Sequence, residues 1–193
     1  MAKPKALSSR ISKKGLLNRR YLKTEEAIIE VLLKSKEMPS TVELTKKAQI
    51  SRTTLYRHHR AIPSIVPDYE KELLSRYKRT LRKLRKKEQT NLKSICLQSL
   101  IFIINYQRIF KILFKYSGDR VVEEMVMANQ ALIAKTYFLP KNPTKMFRIY
   151  AKEVAGIVEL WGERNFPDSD ISAVLKDIMR LTAGIKTRLG ALR

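Results

Sequence analysis

Ser40-Thr-Val-Glu-Leu-Thr-Lys-Lys-Ala-Gln-Ile-Ser-Arg-Thr-Thr-Leu-Tyr-Arg-His-His59 decides how this chain is read. Ser40 and Glu43 stand three residues apart at the head of an apolar-periodic stretch. That spacing makes a capping box, in which the two residues satisfy each other's free backbone N–H groups. Val42, Leu44 and Ala48 recur at helical spacing and are expected to face inward. Ser51 is placed to cap a second helix, because its hydroxyl can accept from the N–H groups two and three residues ahead. Helices this short do not hold themselves up in water. They become stable packed crosswise on a third helix, as in a helix-turn-helix whose second helix enters a DNA groove.

The charge balance points the same way. Of 193 residues, 40 are Lys or Arg and 18 are Asp or Glu, a net charge of +22. Solubility does not require so large an excess. It implies a polyanionic partner, nucleic acid ahead of an acidic membrane surface. Residues 1–93 hold 25 basic and 9 acidic side chains, net +16, against 15 and 9, net +6, in residues 94–193. The excess therefore coincides with the helix-turn-helix.

With 44% hydrophobic residues the chain can bury a core, and its length suits one or two domains. The single cysteine, Cys96, lies between Ile95 and Leu97, which reads as a buried, inert thiol with no disulfide or metal cluster. The basic N-terminal stretch lacks the apolar core of a secretory signal. The longest apolar run, Ser99 to Tyr106, is too short to cross a bilayer. These features lead us to expect a cytoplasmic protein with no membrane partner.

Residues 1–20 carry seven basic side chains and no acid, and form a flexible basic arm in this reading. The arm is either a solvated tail or a contact to DNA phosphates or the minor groove. A helix is expected from about 24 to 36, capped by Thr24, with Ile28, Ile29, Val31, Leu32 and Leu33 as its buried stripe. A helix from about 68 to 87 opens with Asp68, Glu70 and Glu72 and closes with Arg and Lys, the order its dipole favours. A single helix over about 90–116 is apolar nearly all round. Ser117-Gly-Asp119 ends it, and further helices cover about 121–137, 144–163 and 168–189. No run reads as a strand, so the expected fold is all-α. It comprises an N-terminal three-helix DNA-binding domain over 21–66 and a helical regulatory and dimerisation domain over 67–193.

The first residues of a groove-entering helix reach base edges. Ser51, Arg52, Thr53 and Thr54 occupy those positions, followed by Tyr56, Arg57 and His58. Arg52 has the donor fork that matches guanine, and threonine offers a hydroxyl or a methyl. Tyr56 and His58 fit better as donors to phosphate oxygens, which set register without reading sequence. Thr41 stands where backbone N–H groups can hold another phosphate. Ser40 and Lys46 complete the expected contact set.

Over residues 24–66 the chain resembles the TetR family of bacterial transcriptional regulators. The family's threonine-rich helix start, small-residue turn and Thr-Leu-Tyr-x-His motif correspond here to Ser40-Thr41-Val42, Ala48-Gln49-Ile50-Ser51 and Thr54-Leu55-Tyr56-Arg57-His58-His59. A weaker likeness runs through Asn105–Phe110, Ser117–Asp119 and Ala155–Pro167. Two positions depart from the pattern. Gln49 replaces the turn glycine, which in a left-handed backbone costs about 1 kcal/mol. His59 replaces the closing aromatic, and either packs as a half-buried ring or acts as a phosphate donor or pH-sensitive group.

The resemblance implies a homodimer on a palindromic operator, at the bacterial nucleoid, acting as a repressor. It implies a four-helix interface from the last two long helices, for which Ile157, Leu160, Trp161, Val174, Leu175 and Ile178 are the expected contacts. It also implies a small-molecule effector pocket among the middle helices, with Phe102, Tyr106, Phe110, Met125, Asn129 and Tyr150 as its expected lining. No catalytic residue, metal site or cofactor is expected, because no nucleophile elbow, phosphate-binding glycine loop or HExxH arrangement is present. The competing function is a nucleoid-associated protein that organises DNA with little sequence preference. A membrane-surface role is weaker, since no helix sets a basic face against a lipid-seeking one.

Overall fold

Ile28, Ile29, Val31 and Leu32 lie on one helical stripe, and α1 (Asn18–Lys34) buries all four. The computed structural model describes residues 18–85, 91–130 and 145–190. Eight further α-helices follow among these residues: α2 (Thr41–Ala48), α3 (Arg52–His58), α4 (Ile65–Arg85), α5 (Leu92–Asn105), α6 (Gln107–Ser117), α7 (Arg120–Ala128), α8 (Lys145–Glu163) and α9 (Ile171–Gly190). Short 3-10 turns at Ile62–Ser64 and Asp168–Asp170 lead into α4 and α9. The protein is all-α, and no described residue lies in a strand. No single described helix is long and apolar enough to cross a membrane.

The chain divides into two compact units. The first comprises residues up to Leu73 together with Asn105–Gly118, and so contains α1 to α3, the start of α4, and α6. In it α2 and α6 both pack on α1. Ile109, Phe110, Ile112 and Leu113 form the buried stripe of α6. Its last turn supplies the donors that α1 lacks at its end. Lys115 Nζ donates to the carbonyls of Leu32, Leu33 and Ser35. Tyr116 Oη donates to the Leu32 carbonyl at 3.0 Å and the Glu37 carbonyl at 3.2 Å. The second unit comprises Leu74–Ile104 and the residues from Asp119 onward, with α8 packed against both α7 and α9.

Several expectations are corrected. Helix α1 is described from Asn18, so Arg19 and Arg20 belong to a helix rather than to the basic arm, whose residues 1–17 lie outside the described residues. Thr24 is interior to α1 and its hydroxyl donates back to the Arg20 carbonyl at 3.1 Å instead of capping. The expected single helix over 90–116 breaks at Tyr106 (φ −120°, ψ 20°). No glycine or proline marks that break. The buried side chains of α5 belong to the second unit and those of α6 to the first, and an unbroken helix would have withdrawn one set from its core. Helix α7 is described to Ala128, and the rest of the expected 121–137 helix falls partly on residues 131–144, outside the described residues. The unit that holds α2 and α3 also extends past residue 66 and takes in α6.

Candidate nucleic-acid interface

Helix α2 opens as its sequence dictates. Ser40 is extended (φ −65°, ψ 164°), its hydroxyl accepts from Glu43 N at 3.3 Å, and its own N–H donates to Glu43 Oε2 at 2.9 Å. That backbone donor, and then the Ser40 hydroxyl, hold the Glu43 carboxyl below its ordinary pKa. Leu44 and Ala48 face inward as expected. Val42 does not: it is 55% exposed, and Thr45 is buried in its stead. Thr45 can enter the interior because its hydroxyl donates to the Thr41 carbonyl at 2.8 Å.

The turn is a Schellman motif. Ile50 N donates to the Thr45 carbonyl at 3.0 Å and Gln49 N to the Lys46 carbonyl at 3.3 Å. Gln49 occupies the left-handed position at φ 54°, where glycine carries no Cβ penalty. Gln49→Gly is therefore expected to stabilise the first unit, by up to about 1 kcal/mol, read as a higher denaturant midpoint. An unchanged or lower midpoint would show that the turn holds no strain.

Ser51 (ψ 156°) caps α3, accepting from Thr54 N at 3.0 Å. Thr54 Oγ1 in turn receives Arg57 Nη2 at 3.3 Å, so the guanidinium is held along the helix surface. Leu55 is buried and anchors the helix. Ser51, Arg52, Thr53, Tyr56 and Arg57 are exposed, with Thr54 half-buried behind them. On the preceding helix Ser40 and Lys46 are exposed and Thr41 is half-buried. Nine of the ten expected contact residues therefore keep at least part of their surface outward.

His58 is the correction. Its side chain is 6% exposed, stacks on Tyr21 with ring centroids 3.9 Å apart, and places Nδ1 2.6 Å from Glu25 Oε1. Its Nδ1 is thus committed to that carboxylate, and little of the ring is left outward for a phosphate. His59, the residue after α3, is buried edge-on against Tyr69. Its Nδ1 is 3.2 Å from Asp68 Oδ2 and its Nε2 is 3.5 Å from Glu25 Oε1. Tyr69 Oη donates to Glu25 Oε2 at 2.9 Å. Burial alone would raise the pKa of Glu25. The hydrogen bond from His58, the facing His59 ring with its charge and the Tyr69 hydroxyl outweigh it and lower the value from 4.5 to about 2. Burial alone would lower that of His59, but the facing Glu25 carboxylate and its charge, followed by the hydrogen bond and charge of Asp68, raise it above 6.5. A glutamate three and four residues before Ile28 and Ile29, on the stripe itself, was the available signal for this cluster.

The expected effector lining is split. Met125, Asn129 and Tyr150 line a cavity in the second unit, together with Tyr77, Cys96 and Ser99. Phe110 is core in the first unit, Phe102 packs edge-on against Tyr77, and Tyr106 sits at the α5–α6 break, so none of these three lines the cavity. Its hydrogen bonds run in one direction. Ser99 Oγ donates to the Ile95 carbonyl at 2.8 Å, so it accepts from Tyr77 Oη at 2.7 Å, and Tyr77 accepts from Asn129 Nδ2 at 2.5 Å. Asn129 Oδ1 is left without a partner. The cavity measures about 40 Å³, room for roughly two or three waters, whereas a drug-sized ligand takes several hundred. Cys96 is held protonated there, its thiol pushed up to about 11 by burial.

The expected dimer contacts are largely consumed within the chain. Trp161, Val174, Leu175 and Ile178 are buried, because α8 and α9 spend their apolar stripes on one another and on α7. Ile157 is half-buried, and Leu160 is 61% exposed. Exposed Ile149 and Leu160 with half-buried Gly156 follow one line along α8, at intervals of seven and four residues. Comparison with known protein families, curated proteins and solved structures returned no match.

Proposed function

We propose that the protein is a sequence-specific DNA-binding transcriptional regulator in which α2, the turn and α3 act as a helix-turn-helix and α3 reads the major groove. One observation carries this reading. The outward face of α3 consists of hydrogen-bonding side chains (Arg52, Thr53, Tyr56 and Arg57), while Leu55 and His58 on the other side fix the helix to its unit. Arg52 and Thr53 then serve base edges, and Tyr56 with Ser40, Thr41 and Lys46 serves phosphates. The net charge of +22 and the resemblance to TetR regulators support the same conclusion.

The active species in this reading is a homodimer acting as a repressor, its partner docked on the outward line Ile149, Gly156 and Leu160 of α8. Two reading heads then occupy half-sites about one helical turn apart. An effector in the second unit releases the DNA by binding one of two states better than the other, and it must enlarge the Asn129 cavity to enter. Exposed Arg19, Arg20, Lys23, Lys47, Lys71, Lys78, Arg82 and Lys83 favour one alternative, a nonspecific DNA-organising protein.

Binding to random duplex and to DNA from beside the protein's own gene, at rising salt, separates the two. Nonspecific affinity falls with a log–log slope of about −0.9 per neutralised phosphate, and a regulator keeps its preference for one near-palindromic site throughout. Arg52→Ala is expected to change which bases are preferred, at about 1–3 kcal/mol of discrimination, while Tyr56→Phe weakens all sequences alike. Equal losses on every sequence for Arg52→Ala would remove that residue from the reading set.

A further inference from the structure

The two ring nitrogens of His59 face two different carboxylates on two different helices. Nδ1 hydrogen-bonds Asp68 of α4 at 3.2 Å, and Nε2 faces Glu25 Oε1 of α1 as an ion pair at 3.5 Å without a hydrogen bond. Only the imidazolium carries a proton on both nitrogens. A neutral ring must turn a lone pair toward one carboxylate, inside a site that is 5% exposed and where water offers little compensation. The other groups around the ring are His58 on α3, Tyr69 on α4 and, stacked on His58, Tyr21 on α1. These groups form no set able to hold a metal among the described residues.

The two carboxylates are not equally tied. Glu25 also has His58 at 2.6 Å and the Tyr69 hydroxyl at 2.9 Å, whereas Asp68, besides the ring, has the Ser64 hydroxyl at 3.4 Å among the described residues and is 45% exposed. A lone pair turned on the Glu25 charge, 11% exposed, would cost more than one turned on half-exposed Asp68, so on losing a proton the ring keeps Nε2–H toward Glu25 and Asp68 turns to solvent. The end of α3 then remains joined to α1 and loses its tie to α4.

We propose that His59 is a positioning residue that makes the reading head proton-dependent, DNA binding being strong when both nitrogens are protonated and weak when the Asp68 link is lost. This deepens the DNA-binding reading and rests on it. The raised pKa of His59 places the transition above its ordinary 6.5, so affinity is full below that pH and falls as pH rises through the titration. One linked proton gives a slope approaching one decade of Kd per pH unit, and we expect a total loss of roughly tenfold or more.

Two measurements test this. The first follows the His59 imidazole by NMR, with amide exchange in α3, from pH 5.5 to 8.5 in the free protein. The second is Kd at fixed ionic strength over the same interval, on the duplex from beside the protein's own gene, for the wild type, Asp68→Asn and His59→Phe. The expected result is that loss of affinity and faster exchange at the end of α3 follow the His59 titration, with both variants flat. His59→Phe tests the ring and Asp68→Asn removes only the α4 arm, so the second variant decides if the first does not fold. A wild-type Kd that is flat through the NMR transition, or that falls with rising pH, overturns the proposal. So does a full pH response in Asp68→Asn. Absence of DNA binding at every pH instead defeats the DNA-binding reading, and unchanged α3 exchange across the titration then overturns the gate on its own.

Discussion

Trp161→Ala is expected to cost the second unit about 3–5 kcal/mol, the range for deleting a fully buried aromatic. The indole is wholly buried, packs edge-on against Phe166 with centroids 5.2 Å apart, and donates from Nε1 to the Pro167 carbonyl at 3.1 Å. It also holds a strained corner. Asn165 (φ 66°) and Phe166 (φ 51°) are both left-handed, and the corner closes through Phe166 N to the Trp161 carbonyl at 3.1 Å. Asparagine tolerates that region, but Phe166 there costs about 1–2 kcal/mol and persists because its ring is buried against the indole. Removing Trp161 opens a cavity and frees that corner together. Because this is the only tryptophan, unfolding must be followed by circular dichroism rather than by its fluorescence. A loss under about 1 kcal/mol would contradict the packing described.

Glu25→Ala should be comparably severe for the first unit. Deleting one partner of a buried ion pair costs about 3–5 kcal/mol, because the charge left behind has neither water nor counter-ion. Here His58 and Tyr69 lose their hydrogen-bond acceptor and His59 loses the more buried of its two carboxylates at once, keeping only half-exposed Asp68. The sign with pH is fixed by the shifts. The contribution of Glu25 is complete above its ordinary 4.5 and is lost as pH falls toward about 2, so wild type and variant converge in acid. That of His59 is complete below 6.5 and is lost above its raised value, so the gap also narrows on the alkaline side. Urea titrations of both proteins at pH 2.5, 5.5 and 9 check this. A gap that does not peak near pH 5.5 counts against the cluster as the source of the loss.

Much of the local chemistry was legible in the sequence, though the Thr24 cap, equally local, was not. The Ser40–Glu43 box, the Ser51 cap, the left-handed position of Gln49 and the break at Gly118 all depend on hydrogen bonds closed inside one turn. Most other failures share a cause. His58 looked like an outward donor because nothing within α3 reveals that Glu25, 33 residues earlier, is its partner. Trp161 and Ile178, expected as dimer contacts on the resemblance, are core, because the apolar demand of α7 cannot be counted from α8 and α9 alone. The break at Tyr106 left no local mark, since which core claims each half of the 90–116 stretch is a tertiary matter. Spacing alone puts Val42 inward, yet Thr45 displaces it by satisfying its hydroxyl on the helix itself.

Helix α6 terminates α1 from some 80 residues downstream, and this bears on how such a protein can be divided. The backbone passes between the two units three times, at 73–74, 104–105 and 118–119. No single cleavage separates them. A fragment ending after α3 leaves the last carbonyls of α1 without Lys115 and Tyr116, and its inner face without Ile109, Phe110, Ile112 and Leu113. The segment that reads as the most self-contained in the sequence is thus not a portable cassette. To graft it onto another protein, one would have to transplant α6 as well.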